Sequence, residues 1–472
     1  MLLTVGTLVL LLMLCIPEKG IAFGEFQLKF KRWDTVIRKP TPIQKIDVEA
    51  YLARLDSIES ARQLEQQTSE RNVKRTQGIT SIQFKDQDSS PLFPFFEALD
   101  AAMDQGARLH VLHYGDSQIE SDRMTGYLRE QWQDTFGGRG PGLVAPVPLT
   151  ASANIKQTQS SNWKRYTAYG YDQAKIDHGR FGVLASMGRF SPAMEKSLIN
   201  PSDTLEGWIE LSLSGMAKSH ARVYSQAHVY FGYHQYPVQL NVLADDSLID
   251  TRSFDPSDQL IHYQLALSST PKKLRFVFKG PDSPEVQSIL LDGNSGVYVD
   301  NIALRGSNGN IFKRIDYRDI SSQIADLQTK LIILQFGGNS VPYVTTSEQA
   351  KDYASYFGAQ IKFLKKMAPD ASFLVIGPSD MSTSIDGEFQ TWPGIPLVRD
   401  AMKEIAFAEG CGYWDMFEVM GGTNSMVSWV QSDPPYAGTD YTHFTPLGAR
   451  KMAEFLYKSI QAEYDAWHAS AN

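Results

Sequence analysis

Val111–Glu120, which reads VLHYGDSQIE, is the stretch that decides the fold of this chain. Its first residues belong to the segment Arg108–Tyr114, in which Leu109, Val111, Leu112 and Tyr114 are apolar. This segment predicts a strand. Gly-Asp-Ser follows at once, before a segment that predicts a helix over Ile119–Gln133. In α/β folds, a serine on a turn between a central strand and a helix is a typical nucleophile. The same tripeptide is common in plain turns, so residues elsewhere must decide between the two interpretations.

Three further motifs lie later in the chain. Gly296–Gly306 reads GVYVDNIALRG, Gly337–Asn339 follows an apolar run, and Asp440–His443 precedes a predicted C-terminal helix. Together with Gly115–Ser117, they resemble the four blocks of the SGNH (GDSL-type) hydrolase superfamily, in the same order. Gly296–Gly306 resembles the second block of one branch, the bacterial peptidoglycan O-acetyl esterases and their O-acetyltransferase relatives. The resemblance covers roughly half of the chain.

The resemblance implies an α/β fold, a flavodoxin-like three-layer SGNH hydrolase domain with a parallel sheet. The pattern of the second half of the chain agrees, because predicted strands and helices alternate there. The apolar run 330–336 is typical of a strand that is covered on both faces. Strands are predicted at 297–304, 330–336, 372–376 and 412–416, and helices at 320–328, 348–367, 396–408 and 446–461.

A different pattern separates the serine from the other motifs. Between residues 155 and 290, short strand-like runs recur with turn residues between them. Regular short strands favour an antiparallel β-sandwich. The resemblance implies a jelly-roll insertion of the carbohydrate-binding-module type, which we expect to fold as its own sandwich beside the cleft. Four of its aromatic residues are candidates for core packing or for stacking on sugar: Trp163, Trp208, Tyr230 and Tyr233.

The N-terminus predicts export. Met1–Pro17 is nearly all apolar, too short for a membrane span of about 20 residues but suited to an export signal. Residues 1–24 are interpreted as a signal peptide or an N-terminal membrane anchor, with a buried helix as the alternative, and 25–80 as a spacer with a charged helix. The hydrolase domain is predicted in two parts, 81–154 and 291–472, around the sandwich 155–290. The expected location is the periplasm or cell envelope.

Composition argues against several partners and cofactors. The net charge is −8 and no dense run of lysine and arginine occurs, so nucleic acid is not an expected partner. If Cys15 leaves with the signal, Cys411 stays single and no disulfide can form. We expect Cys411 to be a small buried residue at a strand start. The glycine-rich loop 137–142 does not open a helix as a phosphate loop does, and it is assigned a structural role in shaping the cleft.

The candidate chemistry is nucleophilic attack by a serine. The Ser117 hydroxyl needs a base, and His443 is the expected base, oriented by Asp440 three residues earlier on one loop. The negative oxygen of a tetrahedral intermediate needs hydrogen-bond donors. The expected donors of this oxyanion hole are the amide of Ser117, an amide at Gly306 and the side chain of Asn339.

Neighbouring residues have supporting roles in this interpretation. Asp116 is expected to brace the serine turn, and Gln118 to line the entrance. A metal site is not predicted, because no second histidine or carboxylate cluster stands near His443 at ligand spacing. No cofactor is predicted either.

The leading hypothesis is an exported serine esterase that removes O-acetyl groups from a cell-envelope polysaccharide, which the resemblance implies to be peptidoglycan. One alternative is an O-acetyltransferase of the same fold, which receives acetyl groups from a membrane-bound acyltransferase partner. The other is a catalytically silent carbohydrate-binding protein on a degenerate hydrolase. The intact serine, asparagine, aspartate and histidine argue against this last hypothesis.

Overall fold

A computed structural model of the chain describes residues 21–23, 26–28, 45–68, 80–170 and 176–471. Most of the predicted signal peptide or anchor, 1–24, and much of 25–80 lie outside the described residues. In the unit Met1–Gln44, the described residues form one short antiparallel strand pair. The remainder, Lys45–Asn472, is a second compact unit. Across the ranges that the structure describes, no helix is long and apolar enough to cross a membrane.

Helices lie mainly before residue 142 and after residue 292, and strands dominate the segment between. The helices are α1 (Val48–Thr68), α2 (Phe93–Gln105), α3 (Thr125–Phe136), α4 (Tyr317–Asp326), α5 (Ser347–Met367), α6 (Gly394–Ala408), α7 (Met416–Met420), α8 (Ser425–Gln431) and α9 (Pro446–Ala471). The strands are β1 (Ile21–Phe23), β2 (Phe26–Leu28), β3 (Arg108–Gly115), β4 (Gly142–Val144), β5 (Ile155–Gln159), β6 (Lys164–Thr167), β7 (Ser186–Arg189), β8 (Leu205–Leu213), β9 (Gln226–His234), β10 (Val238–Ala244), β11 (Ser247–Phe254), β12 (Ser257–Ala266), β13 (Lys273–Gly280), β14 (Glu285–Asp292), β15 (Gly296–Ala303), β16 (Thr329–Gln335), β17 (Ser372–Ile376), β18 (Ser382–Ile385), β19 (Glu388–Thr391) and β20 (Gly412–Trp414).

Five parallel strands form the central sheet, in the order β15-β3-β16-β17-β20. Numbered among themselves along the chain, they lie in the order 2-1-3-4-5, which is the doubly wound order of flavodoxin-like folds. Strand β3 precedes the serine and pairs with β15 on one side and β16 on the other. From Leu109 to Gly115 every residue of β3 is buried, as expected for a parallel strand covered on both faces. The predicted parallel sheet is confirmed.

Alternate residues of these strands face two different apolar cores. In β3, Leu109 and Val111 pack in a cluster with residues of α2, α3 and α9. Leu112 and Tyr114 pack in a second cluster with residues of α5 and α6. Consecutive side chains of a strand point to opposite faces, so the parallel sheet is the middle of three layers.

Helix α1 packs against the α/β layers. Val48, Leu52 and Leu55 recur at helical spacing and are buried in the same cluster as residues of α2 and α9. Two lysines of α9 bind Asp56 of α1, since Lys451 Nζ lies 2.5 Å and Lys458 Nζ 3.0 Å from the Asp56 oxygens. The beginning of this helix is therefore a packed peripheral element and not a free spacer.

Two antiparallel sheets occupy residues 142–292. One has the order β11-β10-β13-β8-β5, and the other the order β12-β9-β14-β7-β6 with β4 paired to β14. Side chains from both sheets form one apolar core, which includes Phe231 of β9 and Phe276 of β13. The extra antiparallel region predicted from the sequence is present, and it begins with β4, ahead of residue 155.

The antiparallel region shares a core with the α/β layers. Tyr230 and Leu290 from the sheet that contains β9 and β14 belong to the same apolar cluster as Tyr114 of β3. The Tyr114 hydroxyl donates a hydrogen bond to the carbonyl of Val183, at 2.9 Å. The expectation of a sandwich that folds by itself beside the cleft does not describe this arrangement, because removing it would expose the α/β core.

Buried charges also cross this junction. His110 Nδ1 of β3 lies 2.6 Å from Asp300 Oδ2 of β15, and His110 Nε2 lies 3.7 Å from Asp292 of β14. Burial favours the neutral imidazole, but the two carboxylates outweigh it and raise the pKa of His110. Asp292 binds His228 of β9 as well, at 3.0 Å. One charged cluster therefore joins the parallel sheet to the antiparallel sheet.

The four aromatic residues considered for sugar stacking all have partners inside the protein. Trp163 is buried in the core between the two antiparallel sheets, and Tyr230 stacks on a histidine ring at 4.4 Å. Trp208 and Tyr233 lie under arginine side chains, with guanidinium carbons 5.1 and 4.5 Å from the ring centres. Packing is therefore the role that the structure gives to these side chains.

The serine segment does not enter a helix directly. Ser117–Asp122 form a 3-10 turn in which Ser121 is left-handed, with φ of 60°, and α3 begins only at Thr125. The Asn301 side chain of β15 donates to the Ile119 carbonyl at 2.8 Å and to the Thr125 hydroxyl at 2.7 Å. These bonds hold the chain in an interrupted path, so the predicted helix 119–133 is wrong over its first turn.

Two other predicted elements differ. Ala221–Tyr224, one of the strand-like runs predicted between residues 155 and 290, is not a strand, because the amides of Arg222 and Val223 bond back to Ser219 and His220 and close a 3-10 turn. The C-terminal helix α9 runs to Ala471, well beyond the predicted end at Gln461. Its last turns continue because Tyr464 packs in the apolar cluster beneath α2 and α3.

The glycine-rich loop 137–142 has a structural role, but away from the serine. A Cβ on Gly138 would lie 2.5 Å from the Val297 carbonyl oxygen, and one on Gly140 would lie 2.4 Å from the Leu291 carbonyl oxygen. Val297 is at the start of β15, whereas Ser117 follows the end of β3, which runs parallel to it. The loop therefore supports the opposite edge of the sheet. The prediction that it shapes the cleft is wrong.

Substituting alanine in this loop tests the close backbone approach. Gly138→Ala adds a Cβ to a residue with φ of 112° whose space is filled by backbone, so we expect it to lower the free energy of unfolding by roughly 3 kcal/mol or more. Gly137→Ala is the control, because φ is 74° and nothing lies within 4 Å of its Cβ position. Its expected cost is about 1–2 kcal/mol. Urea unfolding measures both, and equal losses would contradict this account.

Candidate active site

Ser117 and His443 meet at the carboxyl edge of the parallel sheet. Ser117 lies just beyond β3, and His443 lies on the loop that precedes α9. Ser117 Oγ and His443 Nε2 are 2.8 Å apart, the distance needed for a base to take the hydroxyl proton. The predicted nucleophile and base are therefore brought together from positions far apart in the chain.

Asp440 orients the histidine through a local turn. Its Oδ1 accepts hydrogen bonds from the amides of Thr442 and His443, each at 3.0 Å. Its Oδ2 lies 2.8 Å from His443 Nδ1. An aspartate that binds the amides two and three residues later closes an Asx turn, and the Asp-x-x-His spacing thus places carboxylate and imidazole side by side.

The charge on Asp440 is favoured by these contacts. Partial burial favours the neutral acid, but the hydrogen bonds from the His443 backbone and ring and from the Thr442 amide lower the pKa of Asp440. The side chains of His443 and Asp440 are 34% and 54% exposed, so this pair opens to solvent. An ionised Asp440 holds Nδ1 protonated and leaves Nε2 free to accept the serine proton.

A hydrogen bond between Asp116 and Asn339 joins the serine turn to the turn that follows β16. Asp116 accepts from the Gln118 amide at 2.9 Å and from Asn339 Nδ2 at 3.0 Å, which bears out the bracing role predicted for Asp116. Burial raises the pKa of Asp116 to about 6, although both hydrogen bonds oppose the rise. Asn339 Nδ2 also donates to the Ser307 carbonyl, at 3.1 Å. To reach an oxyanion, Asn339 must share one of these two protons.

Gly306 lies on the turn that follows β15. Asn339 lies on a neighbouring turn, the one that follows β16. The φ of Gly306 is 74° and a Cβ there would meet nothing within 4 Å. The next residue, Ser307, accepts the Asn339 hydrogen bond, so the turns that carry Gly306 and Asn339 are adjacent. Asn339 lines the cavity around Ser117, and Gly306 is outside that lining.

Gln118 is a site residue whose role the sequence did not reveal. It was expected to line the entrance, and it does line the cavity. Its side chain, however, is bound to the histidine loop: Nε2 donates to the Thr442 carbonyl at 2.6 Å and to the Ser379 hydroxyl at 3.2 Å. Oε1 accepts from the Phe444 amide at 3.4 Å. Gln118 thus holds the backbone on both sides of His443.

Arg123 provides a second bridge between the same two segments. Its guanidinium donates to the Ser117 carbonyl at 2.5 Å and to the Phe444 carbonyl at 3.1 Å. Glu120 supplies a third acceptor through its own carbonyl, at 3.0 Å. A glutamine and an arginine in a helix-like turn carry no motif signal, so only the three-dimensional contacts identify them.

Two other reactive side chains are excluded from the chemistry. His113 lies four residues before the serine, but burial lowers its pKa to about 4 and it is bonded to Gln335 and Thr125. Cys411 is a buried free cysteine just before β20, and burial raises the pKa of its thiol to about 12. It is inert packing, as predicted. Among the residues that the structure describes, no cluster of three or more metal-ligating side chains occurs.

A cavity of about 310 Å³ opens beside Ser117 and His443. Its wall includes Asn339, Tyr343 and Trp392. This volume is within the range of small-molecule sites, and the aromatic walls suit the apolar faces of a sugar ring.

The fold and the site geometry define a class: a doubly wound α/β protein in which serine, histidine and aspartate are bonded in series at the carboxyl edge of the parallel sheet. Neither a protein-family model nor a curated protein sequence matches the chain.

Solved structures do match it. A peptidoglycan O-acetylesterase superposes with a TM-score of 0.60 over 79% of this chain and 96% of its own, at 19% sequence identity. A family two carbohydrate esterase from Clostridium thermocellum covers 56% of this chain and 97% of its own, with 12% identity and a TM-score of 0.26. The salicylyl-acyltransferase SsfX3 covers 68% and 97%, with 12% identity and a TM-score of 0.29. The first match shows a shared fold.

A Gln118→Met substitution tests the bridge to the histidine loop. It keeps the side-chain length and removes the bonds to Thr442, Ser379 and Phe444, so His443 loses its alignment. We expect the kcat for p-nitrophenyl acetate to fall roughly 10- to 100-fold, with little change in KM. Gln264→Met is the control, because that side chain bonds Gln226 in the antiparallel region and does not line the cavity beside Ser117. An unchanged kcat in a folded Gln118→Met protein would contradict the positioning role.

Proposed function

We propose that the protein is an exported serine esterase that removes O-acetyl groups from a cell-envelope polysaccharide, with peptidoglycan as the substrate. The observation that carries the proposal is the bonded series Ser117–His443–Asp440 at the end of the central strand. The fold shared with a peptidoglycan O-acetylesterase supports the substrate class.

The first half of the proposed reaction forms an acyl-enzyme. Ser117 Oγ attacks the acetyl carbonyl carbon while its proton passes to His443 Nε2, and Asp440 stabilises the resulting imidazolium. The C–O bond to the sugar then breaks, and the same proton passes from His443 to the departing sugar oxygen. In the second half, His443 takes a proton from water, the hydroxide attacks the acetyl carbon, and acetate leaves Ser117 as the proton returns to Oγ.

The negative oxygen that forms in both halves is placed near three donors in this proposal. They are the amides of Ser117 and Gly306 and the side chain of Asn339. Asn339 contributes by turning one of its N–H groups to this oxygen and away from its present acceptor. The present acceptors are the Ser307 carbonyl and Asp116, both within 3.1 Å of Nδ2. Such a change of acceptor is favourable only when an oxygen with full negative charge competes for the proton.

We further propose that the antiparallel region is a jelly roll of the carbohydrate-binding type. Its strand pairing supports this, because four pairs are nested: β7 with β14, β8 with β13, β9 with β12, and β10 with β11. A long antiparallel hairpin rolled into two sheets gives this nesting. The hydrolase domain is proposed in the two parts predicted from the sequence, 81–154 and 291–472, with β4 of the first part paired to the antiparallel region.

Export and the acyl acceptor complete the proposal. Residues 1–24 remain predicted as a signal peptide or anchor, and the protein is placed in the periplasm or cell envelope on that basis. With water as acceptor the protein is an esterase. With a sugar hydroxyl as acceptor it would be a transferase and would need a membrane-bound acyl donor as partner.

Ser117→Ala tests the proposed activity. We expect the release of acetate from O-acetylated peptidoglycan to fall by roughly 10⁴-fold or more, since removing a nucleophile disables the whole series. Thermal melting checks that the variant is folded. Acetate release by the wild-type protein is also compared with and without added chitooligosaccharide, because acetyl transfer to the sugar would identify a transferase. Unchanged acetate release by folded Ser117→Ala would refute the serine mechanism.

A further inference from the structure

Tyr343 is an exposed aromatic residue at the cavity that contains Ser117. It lines this cavity together with Asn339 and His443, yet it is 80% exposed. Within the described parts of the chain, its ring is paired with no other ring, cation or hydrogen-bonding group. The four aromatic residues first considered for sugar stacking all have such partners. An aromatic ring that is open beside a reactive serine is a candidate contact for the substrate.

The backbone that carries Tyr343 is fixed on both sides. Tyr343 is the last residue of the turn Gly338–Tyr343, and the nearby Val341 and Val344 are buried in the apolar core. The Val344 amide donates to the Val341 carbonyl at 3.2 Å. The start of α6 packs on the same backbone, since a Cβ on Gly394 would lie 2.5 Å from the Val344 carbonyl oxygen. A ring on such a support loses little freedom when it binds a ligand.

The same turn carries a proposed donor of the oxyanion hole. Asn339 belongs to the turn Gly338–Tyr343, and its side chain is held by Asp116 and by the Ser307 carbonyl. One short, well-supported segment therefore presents both the Asn339 amide and the Tyr343 ring to the cavity. The part of the substrate that contacts Tyr343 must accordingly lie close to the ester whose oxygen is at Asn339.

The size and charge of the cavity indicate which part of the substrate this is. Its volume of about 310 Å³ suits a small-molecule ligand, and an acetyl group is much smaller than the ligands that such a volume holds. Among the described residues that line it, none is lysine or arginine. Phe336, Met381 and Met416, which are buried, add apolar surface. The cavity thus has room beside the acetyl group for a neutral group with an apolar face.

We propose that the cavity beside Ser117 binds the pyranose ring that carries the ester, and that Tyr343 stacks on one face of this ring. The inference rests on the proposed function, because it takes the ester to be on a sugar. The axial C–H groups of a glucose-type pyranose form an apolar face, and the negative face of an aromatic ring attracts such groups. Tyr343 is therefore a specificity-determining residue that favours sugar esters and takes no part in bond breaking.

The experiment compares two esters with the full-length protein, followed by acid release at constant pH. They are the methyl glycoside of 6-O-acetyl-N-acetylglucosamine and ethyl acetate, which has no ring. Nitrophenyl esters are avoided because their own ring can stack on Tyr343. For Tyr343→Ala we expect the ratio of kcat/KM, sugar ester over ethyl acetate, to fall roughly tenfold through a higher KM for the sugar ester. This change corresponds to about 1.4 kcal/mol, which is in the range for stacked rings.

Two further variants make the result specific. Tyr343→Phe keeps the ring and removes the hydroxyl, so its ratio should stay within about twofold of the wild-type ratio. Tyr356→Ala is the matched control, because Tyr356 of α5 is also exposed, at 67%, and is outside the cavity lining. An unchanged ratio in Tyr343→Ala, or an equal fall in Tyr343→Phe or Tyr356→Ala, would overturn the inference while leaving the esterase activity established.

A binding measurement separates this inference from the proposed function. Wild-type protein and Tyr343→Ala are titrated with chitotetraose, which carries no ester, and saturation transfer from protein to sugar protons is followed by NMR. We expect the strongest transfer to the axial ring protons with the wild type, and roughly tenfold weaker binding by the variant. This outcome supports the inference even if no acetylated sugar is hydrolysed and the proposed function fails. Absence of transfer with the wild type, or equal binding by both proteins, overturns it.

Discussion

The site depends on the register of three parallel strands that end at the same edge of one sheet. Gly115, the last residue of β3, pairs with Ala303 of β15 and with Gln335 of β16. The serine, Gly306 and Asn339 each follow one of these ends within a few residues. Because the carboxyl ends of parallel strands meet at one edge, the turns that follow these three strands lie close together. The remaining component, His443, comes from the loop before α9, which lies outside this register.

The histidine loop is instead held by side chains of the serine turn. Gln118 and Arg123 bind the backbone on both sides of His443, and Asp440 fixes the imidazole from within the loop. The bonds made by Gln118 and Arg123 join buried or partly buried groups, where an unsatisfied partner is costly. The relative position of Ser117 and His443 therefore depends on a connected polar network.

The sequence predicted the features that depend on local pattern. The parallel sheet was predicted from the alternation of strand and helix patterns and from the apolar run 330–336, and the serine, asparagine and histidine motifs from their resemblance to the blocks of a known family. Contacts between distant segments left no such pattern. Gln118 is one polar residue in a turn, and Arg123 is one charge close to it in the chain. The path of Ser117–Asp122 was not predicted because its left-handed residues, Ser121 and Asp122, lie between two groups that are bonded to Asn301, far away in the chain.

The same limitation applies to the antiparallel region. Alternating runs predicted its strands, but the shared core with Tyr114 and the charged cluster at His110 depend on how two sheets pack. The glycine-rich loop was assigned to the cleft because it follows the serine in sequence. Its contacts with Val297 and Leu291 place it at the opposite edge of the sheet. Proximity in the chain was a poor guide wherever close backbone approach decided the structure.

The central claim is that His443 activates Ser117 as the nucleophile. It is tested most directly by the rate at which a fluorophosphonate reagent modifies Ser117, followed by mass spectrometry of the intact protein and its peptides. The account predicts one adduct, on Ser117, that forms at least roughly 10²-fold more slowly in a folded His443→Ala variant, because a serine without its base is a poor nucleophile. An adduct on another residue, or equal rates in the two proteins, would contradict it.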